Sequence, residues 1–185
     1  ALKSNCFDKI IVSTDSEEIA SISEKYGAEV PFIRPKNISD DITGTLPVVN
    51  HSIKFVEANC GKVELVCCIY ATAPFLEAGF LRKGLLKIQE HNANFCFSAT
   101  SFPFPIQRAI KITSEKKSKM FFPEFQNTRS QDLEESYHDA GQFYWGRTSS
   151  WLEKRRIFDD NSIPLLIPRY KVQDIDTEED WIRAE

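Results

Sequence analysis

Along the first hundred residues, apolar and polar positions are arranged in blocks that predict strands and helices in turn. Four apolar or β-branched runs have the length of buried strands, at residues 9–14, 30–33, 63–70 and 94–100. Between them, apolar residues recur at helical spacing in residues 16–26, 45–59 and 77–89. This alternation predicts an α/β fold with parallel strands, in which residues 63–70, the most apolar run, lie centrally.

The pattern changes after Ser101. Phe102-Pro103-Phe104-Pro105 breaks the alternation, residues 109–112 have the pattern of a short strand, and residues 121–137 predict a long loop with at most one helical turn. Loops of this length are usually functional or packed on another subunit. Beyond this inserted segment the chain predicts strands at 141–145 and 163–167, a short helix at 149–153, and a final helix from Glu178.

Composition narrows the class of protein. A length of 185 residues fits a single domain, and 42% hydrophobic with 27% charged residues is ordinary globular composition. The net charge of −4 does not indicate a nucleic-acid-binding protein, for which a positive charge would be expected. No apolar run approaches the roughly 18 residues that a membrane span requires. Five cysteines without CxxC spacing, three of them in strand-like runs, indicate reduced core thiols of a cytoplasmic protein.

Two carboxylates near the C-terminus are the strongest candidates for metal chemistry. In an extended segment, Asp174 and Asp176 would point to one face while Ile175 turns toward the core. Such a pair can bind Mg²⁺, which prefers one or two carboxylates together with waters and substrate phosphates. A helix start is the alternative, because residues 177–180 fit a capping box and acids favour that end of a helix. Spacing alone leaves both interpretations open.

Three arginines are candidates for anion recognition. Arg34 opens a polar loop, residues 34–44, where the strand ends of an α/β sheet place ligand-binding loops. Arg108 and Arg129 lie in the inserted segment, where a guanidinium could pair with a substrate carboxylate. Solvent-exposed arginines are the alternative in each case.

Other motifs either carry little information or are absent. His138 beside Asp139 could serve acid–base chemistry, but such neighbours are common. The chain contains no serine elbow, P-loop, zinc spacing or GxGxxG, which removes the usual hydrolase, NTPase, metalloprotease and dinucleotide signatures.

Five stretches, in the same order, resemble the acylneuraminate cytidylyltransferase family. They are Ile11-Val12-Ser13-Thr14-Asp15, Arg34-Pro35 with Ser39-Asp40-Asp41, Ala71-Thr72-Ala73-Pro74-Phe75, Arg129-Ser130-Gln131-Asp132-Leu133, and Asp174-Ile175-Asp176-Thr177. Residues 102–108 and 137–146 further resemble the branch of the family that acts on pseudaminic acid. The resemblance runs from Ala1 to Glu185.

The resemblance implies a Rossmann-like nucleotide-diphosphosugar transferase fold with a mostly parallel sheet. Residues 1–185 would be one domain, with an inserted dimerisation segment at about residues 102–140. The implied reaction transfers CMP from CTP to a nonulosonic acid and releases pyrophosphate, in the cytoplasm, for bacterial cell-surface or flagellar glycans. The implied protein is a homodimer, and similar enzymes supply some site groups from the neighbouring subunit.

The resemblance also implies roles for residues that match the family's motifs. Asp174 and Asp176 would hold Mg²⁺, and Arg129 would be a further catalytic group. The implied CTP-binding set is Arg34, Thr43 and Thr45. The implied sugar-binding set is Tyr70, Arg108, Arg129 and Tyr144.

Two departures from the family pattern qualify these expectations. The family's phosphate loop, an Ala-Arg-Gly-Gly-Ser-Lys type segment after the first strand, has no counterpart here, and the chain begins Ala1-Leu2-Lys3 without Met. We therefore expect an N-terminally truncated chain that lacks the first strand and the phosphate loop and is inactive as given. Tyr70 stands where the sialic acid branch typically has glutamine, which affects the sugar contacts.

Three other functions stay open on sequence alone. A noncatalytic module that binds a sugar nucleotide would explain the missing phosphate loop. A CMP-sialic or CMP-legionaminic acid synthetase would share the same motifs. A glycosyltransferase would also use an Asp-x-Asp motif, although that motif normally follows a strand in the middle of the chain.

Overall fold

The structure is a computed structural model that describes residues 1–185. The strands are β1 (Leu65–Ile69), β2 (Phe95–Ser101), β3 (Ile110–Ile112), β4 (Ser118–Met120), β5 (Tyr137–Arg147) and β6 (Ser162–Leu166). The helices are α1 (Glu17–Lys25), α2 (Thr45–Cys60), α3 (Ala78–Glu90), α4 (Thr148–Leu152) and α5 (Glu178–Ala184). None of the helices is long and apolar enough to cross a membrane.

Local sequence signals explain where the helices begin and end. The Ser16 side chain caps α1 by accepting a hydrogen bond from the Ile19 amide, and Gly27 follows the helix with φ of 89°. Gly61 ends α2 with φ of 94°, a backbone conformation that residues other than glycine rarely adopt. The predicted helices at 16–26, 45–59 and 77–89 are therefore confirmed.

Four strands form one mixed sheet in the order β1-β5-β2-β6. β2 and β6 are parallel, whereas β5 is antiparallel to both of its neighbours. The reason is the path of residues 102–136, which leave and rejoin the sheet at the same end, so that Ser101 pairs with Tyr137. The expectation of a mostly parallel sheet is corrected accordingly.

Two strand predictions are wrong, and so is the predicted position of a third strand. Residues 9–14 and 30–33 form no strands, and a single parallel bridge joins Ile11 to Glu29. Pro31 explains why this ladder stops, because the next ladder hydrogen bond would need an amide hydrogen that proline lacks. β1 was predicted to be central but lies at the edge of the sheet, where all five of its residues are only half-buried.

The core lies on both faces of this sheet because successive strand residues point in opposite directions. On one face, Cys96, Phe143 and Trp145 pack with residues of α3. On the other face, Phe95 and Tyr144 pack with residues of α2 and α4. Neighbouring residues of β2 and β5 thus supply two different clusters.

Residues 102–136 lie outside this core. They contain the hairpin of β3 and β4, of which the first strand was predicted, and three short 3-10 turns, Ile106–Arg108, Pro123–Phe125 and Ser130–Asp132. The last two lie in the predicted loop at residues 121–137, which therefore has one turn more than expected. Several large apolar side chains of this segment are exposed, among them Phe104, Ile112 and Phe121.

Candidate active site

The site is organised by a bulge in β5. Phe97 pairs with Tyr144, but Ala99 pairs with Asp139, so the register shifts by three residues within two steps along β2. The Ser98 hydroxyl accepts hydrogen bonds from the amides of Gln142 and Phe143, at 3.1 and 3.2 Å. Ser98 thus satisfies amides that the interrupted ladder leaves unpaired.

Asp139 holds the bulge from within the same strand. Its Oδ1 accepts a hydrogen bond from the Gly141 amide at 3.0 Å, and its Oδ2 accepts one from the Tyr144 hydroxyl. Gly141 has φ of 62°, which glycine adopts without strain. Burial and then the hydrogen bond to Asp139 raise the pKa of Tyr144 well above its usual value, so its phenol stays protonated.

Tyr144 connects this bulge to the start of α2. Its ring packs against the ring of Tyr70, with centroids 5.1 Å apart and planes tilted by 56°. The Tyr70 hydroxyl shares a 2.6 Å hydrogen bond with Oγ1 of Thr45, the first residue of α2. The fold therefore joins three of the residues chosen from sequence, although Tyr144 is only 3% exposed and lies behind the more open Tyr70.

Asp174 lies against the other side of the bulge. A Cβ placed on Gly141 would come within 2.7 Å of Asp174 Oδ2, so only glycine leaves room for this carboxylate. Asp174 Oδ1 is buried and has no hydrogen-bond partner. The amide of Ile175 donates to Thr72 O at 3.2 Å, which fixes the segment beside the end of β1.

The capping box that was predicted as the alternative to a metal site is present, and it does not use the carboxylates of Asp174 and Asp176. Thr177 accepts from the Asp180 amide, and Asp180 accepts from the Thr177 amide, at the start of α5. Asp174 stays free of this cap, and Asp176 is exposed. Both carboxylates are therefore available for a ligand.

Asp174 and Asp176 are the residues that could hold a metal ion. No group of three or more His, Cys, Asp or Glu side chains is arranged to bind one. The unpartnered, buried Oδ1 of Asp174 is nevertheless the kind of oxygen that a hard cation would satisfy.

Arg34 lies in the polar loop that precedes α2. Its guanidinium donates to Ser39 Oγ at 3.0 Å and Ser13 O at 3.3 Å, and it pairs with Asp15 at 3.4 Å. Three of its five N–H groups are thus used inside the protein, and two remain.

The rest of this loop is ordered by Asp40, whose Oδ1 accepts from the amides of Ile42 and Thr43. Hydrogen bonds from Thr43, its side chain first, hold the pKa of Asp40 below its usual value. Gly44 then offers no side-chain cap to α2. The first amides of the helix, next to Thr45, are left open to an external acceptor.

Arg108 and Arg129 lie elsewhere and bind their own segment. Arg108 donates to the backbone oxygens of Gln126 and Thr128, whereas Arg129 makes a bidentate pair with Asp132. The Arg129 side chain is 72% exposed. No hydrogen bond or ion pair connects either arginine to Tyr70, Tyr144 or Asp174 in this chain.

Sequence reasoning missed the bulge and its anchors Ser98, Asp139 and Gly141. Asp139 was weighed only as a partner of His138, but His138 is exposed and its Nδ1 lies 2.7 Å from the backbone oxygen of Asp139. The available signal was a glycine inside a strand pattern, two residues after an aspartate, which is typical of a bulge.

All five cysteines are free, as predicted, but Cys60 is exposed and is therefore not the core thiol that was expected. Burial raises the pKa of Cys68 to about 12 and that of Cys96 to about 11. Both therefore stay protonated thiols, which are poor nucleophiles.

The chain belongs to the cytidylyltransferase family, whose sequence model matches residues 1–177. The pseudaminic acid cytidylyltransferase of Campylobacter jejuni is 42% identical over 97% of this chain and 78% of that protein. A Helicobacter pylori protein named pseudaminic acid cytidylyltransferase and UDP-2,4-diacetamido-2,4,6-trideoxy-beta-L-altropyranose hydrolase is 34% identical over 95% of this chain and 33% of that protein. The family inferred from the motifs is confirmed.

A solved structure shares the fold. CMP:2-keto-3-deoxy-manno-octonic acid synthetase complexed with CTP superposes with a TM-score of 0.66, covering 99% of this chain and 82% of that chain at 11% identity. The fold is thus the α/β fold of a nucleotidyltransferase.

Proposed function

We propose that this chain transfers the cytidylyl group of CTP to pseudaminic acid, a nonulosonic acid, and releases pyrophosphate. The observation that carries the proposal is 42% identity with a pseudaminic acid cytidylyltransferase across 97% of the chain. The side chains around the β5 bulge support it, since they combine the unpartnered carboxylate oxygen of Asp174 with the hydroxyls of Tyr70 and Thr45 at an uncapped helix. In this reaction the anomeric hydroxyl attacks the α-phosphate.

Asp174 and Asp176 are proposed as the ligands of Mg²⁺. The buried Asp174 Oδ1 without a partner supports this role, and so does the exposure of Asp176 beside it. When bound, Mg²⁺ supplies positive charge that offsets the charge developing as pyrophosphate leaves. The contact of Asp174 with Gly141 sets where its carboxylate lies before any ligand arrives.

Arg34, Thr43 and Thr45 are proposed to bind CTP. The loop that contains the first two is ordered before binding by the bonds of Arg34 and Asp40, so little ordering entropy is lost. The two free N–H groups of Arg34 and the open amides of α2 can donate to phosphate or base oxygens.

Tyr70 and Tyr144 are proposed to form the wall of the sugar pocket. Tyr70 meets the sugar with its half-open ring face and the hydroxyl it shares with Thr45, while Tyr144 supports that ring from behind. Arg108 and Arg129 are proposed to meet the sugar carboxylate or the phosphates, for which a bidentate guanidinium is the strongest available partner.

We also propose that residues 1–185 form one domain that dimerises through the inserted segment, residues 102–140. Exposed apolar side chains support this proposal, since Phe104 is 77% and Ile112 is 68% exposed. A second copy of the chain would cover them and would bring the exposed Arg129 to a neighbouring pocket. This arrangement explains why Arg129 makes no contact with the pocket of its own chain.

The test is steady-state pyrophosphate release by the gene product that contains this chain, with CTP and a panel of nonulosonic acids. We expect turnover that requires CTP and a sugar, with the highest kcat/KM for pseudaminic acid. A higher value for legionaminic or sialic acid would overturn the sugar assignment. No release with any of these acids would overturn the reaction itself.

A further inference from the structure

A continuous line of contacts runs from Asp139 to the start of α2. Asp139 binds the Tyr144 hydroxyl, the Tyr144 ring packs on Tyr70, and the Tyr70 hydroxyl bonds to Thr45. On its other side, Asp139 binds the amide of Gly141, the residue against which Asp174 lies. Contacts therefore link Asp139 both to Asp174, the proposed metal ligand, and to Thr45 at the end of the proposed nucleotide-binding loop.

We propose that Asp139 is a positioning residue, which acts through Tyr144 and Tyr70 to set the nucleotide loop at the correct distance from Asp174. The inference rests on the proposed function, because it assigns a role within the same pocket. Each carboxylate oxygen of Asp139 accepts a hydrogen bond from the protein, so Asp139 holds other groups of the site in place.

Because Tyr144 is buried, the hydrogen bond from its hydroxyl to Asp139 can fix the position of Tyr70. At 3% exposure its ring cannot turn without displacing Phe95, Trp151 and the other side chains packed in the same cluster. Its single hydroxyl hydrogen is given to Asp139, so the carboxylate determines where the phenol points. Tyr70 has one face against this ring and its hydroxyl on Thr45, so it must follow.

The bulge makes this contact possible in the first place. In a regular strand, residues five apart lie on opposite faces, so Asp139 and Tyr144 would point away from each other. The three-residue shift held by Ser98 brings the carboxylate and the phenol together. The bulge thus has a specific consequence for the site beyond bending the strand.

The test compares Asp139→Ala with Asp139→Asn in the gene product that contains this chain. Alanine removes both hydrogen bonds, and we expect CTP affinity measured by calorimetry to fall roughly 10-fold, and kcat/KM roughly 10- to 100-fold, because small misplacements are costly. Asparagine can still accept from Gly141 and can donate to the Tyr144 oxygen, so both values should stay near those of the wild type.

Tyr144→Phe removes the same hydrogen bond from the tyrosine side. It therefore tests the role of Asp139 even if the Asp139→Ala variant folds poorly. If Asp139 acts through this phenol, the Asp139→Ala and Tyr144→Phe variants and their combination should show similar losses, because coupled residues are not additive. Additive losses would overturn the proposed line of action.

Tyr137→Phe is the matched control. Its hydroxyl also donates to a carboxylate two residues away, Glu135, at 2.7 Å on the exposed end of the same strand. CTP affinity and kcat/KM should not change. Equal losses in this control would indicate a general effect of removing a tyrosine–carboxylate bond and would overturn the specific role of Asp139.

The outcomes separate this inference from the proposed function. If the wild type binds CTP but releases no pyrophosphate, the proposed reaction fails, while the CTP affinities of the Asp139 variants still decide the positioning role. If Asp139→Ala lowers only the melting temperature and leaves CTP affinity and kcat/KM unchanged where it is folded, Asp139 is merely structural. A wild type that does not bind CTP overturns both.

Discussion

The β5 bulge and residues 102–136, the part of the inserted segment that precedes β5, both supply residues to the proposed site, but they hold them in opposite ways. At the bulge, Tyr144 is buried, and Asp139 and Asp174 are half-buried. The contacts of Tyr144 with Tyr70 and of Asp174 with Gly141 join distant parts of the chain. In the segment, Arg108 and Arg129 bind only neighbouring parts of their own segment and are exposed. One half of the site is therefore preorganised within a single chain, while the other depends on what the segment packs against.

The largest effect should come from the carboxylates beside the bulge. Asp176→Asn should lower Mg²⁺-dependent turnover at least about 100-fold, because a metal ligand acts directly on the charge that develops in the reaction. The fold should be unaffected because Asp176 is exposed. Steady-state kinetics and thermal unfolding measure the two effects. Glu179→Gln removes the same charge from a nearby exposed position, and an equal loss there would contradict the metal assignment.

Gly141→Ala tests whether the bulge itself places Asp174. The new Cβ would lie 2.7 Å from Asp174 Oδ2, so we expect kcat to fall by a factor of roughly 10 or more as the carboxylate moves. Gly61→Ala is the control, since Gly61 also has a positive φ but no neighbour within 4 Å. Both variants should lose roughly 1 to 3 kcal/mol of stability from backbone strain. Similar kcat values in the two variants would contradict the role of the bulge.

For the inserted segment, Phe104→Asp tests whether a second copy covers it. We expect the dimer dissociation constant to rise roughly 10-fold or more, because the substitution would bury a charge in an apolar interface. Analytical ultracentrifugation measures this constant. Leu86→Asp, which changes an exposed apolar residue of α3, should leave it unchanged. A wild type that stays monomeric at all concentrations would refute the interface.

Arg129→Ala should affect the sugar rather than the nucleotide. We expect the KM for the sugar to rise about 10-fold, as for the loss of a charge-assisted hydrogen bond, with little change for CTP. Arg155→Ala is the matched control, since Arg155 also pairs with a nearby carboxylate, that of Glu153, on the surface. A defect confined to CTP would contradict the assignment of Arg129.

The smallest effect concerns the cap of α5. Hydrogen bonds, first from the Thr177 side chain, hold the pKa of Asp180 below its usual value of 3.8. Since the folded pKa is the lower one, this contribution to stability is present above pH 3.8 and is lost as pH falls through the folded value. Melting temperatures across this range should fall less steeply for Thr177→Ala. An identical slope in the variant would exclude the cap as its source.

Local periodicity predicted most helices and strands of this fold, because their signals lie within each element. It failed at residues 30–33, where Pro31 ends the ladder, and at β1, whose edge position depends on strand order. In the site, Asp174 belongs to a motif that implies its role, whereas Asp139 lies in a stretch that resembles the family, residues 137–146, without an implied role of its own. Its role arises from a register shift that Ser98 stabilises from the neighbouring strand, and no pattern within β5 encodes that partner.

The central claim is tested most directly by identifying the product that the gene product containing this chain makes from CTP and pseudaminic acid. Mass spectrometry should detect the CMP-linked sugar in equal amount to the pyrophosphate released, and Asp176→Asn should make almost none. Pyrophosphate without a CMP-sugar, or full product formation by the Asp176→Asn variant, would contradict the account.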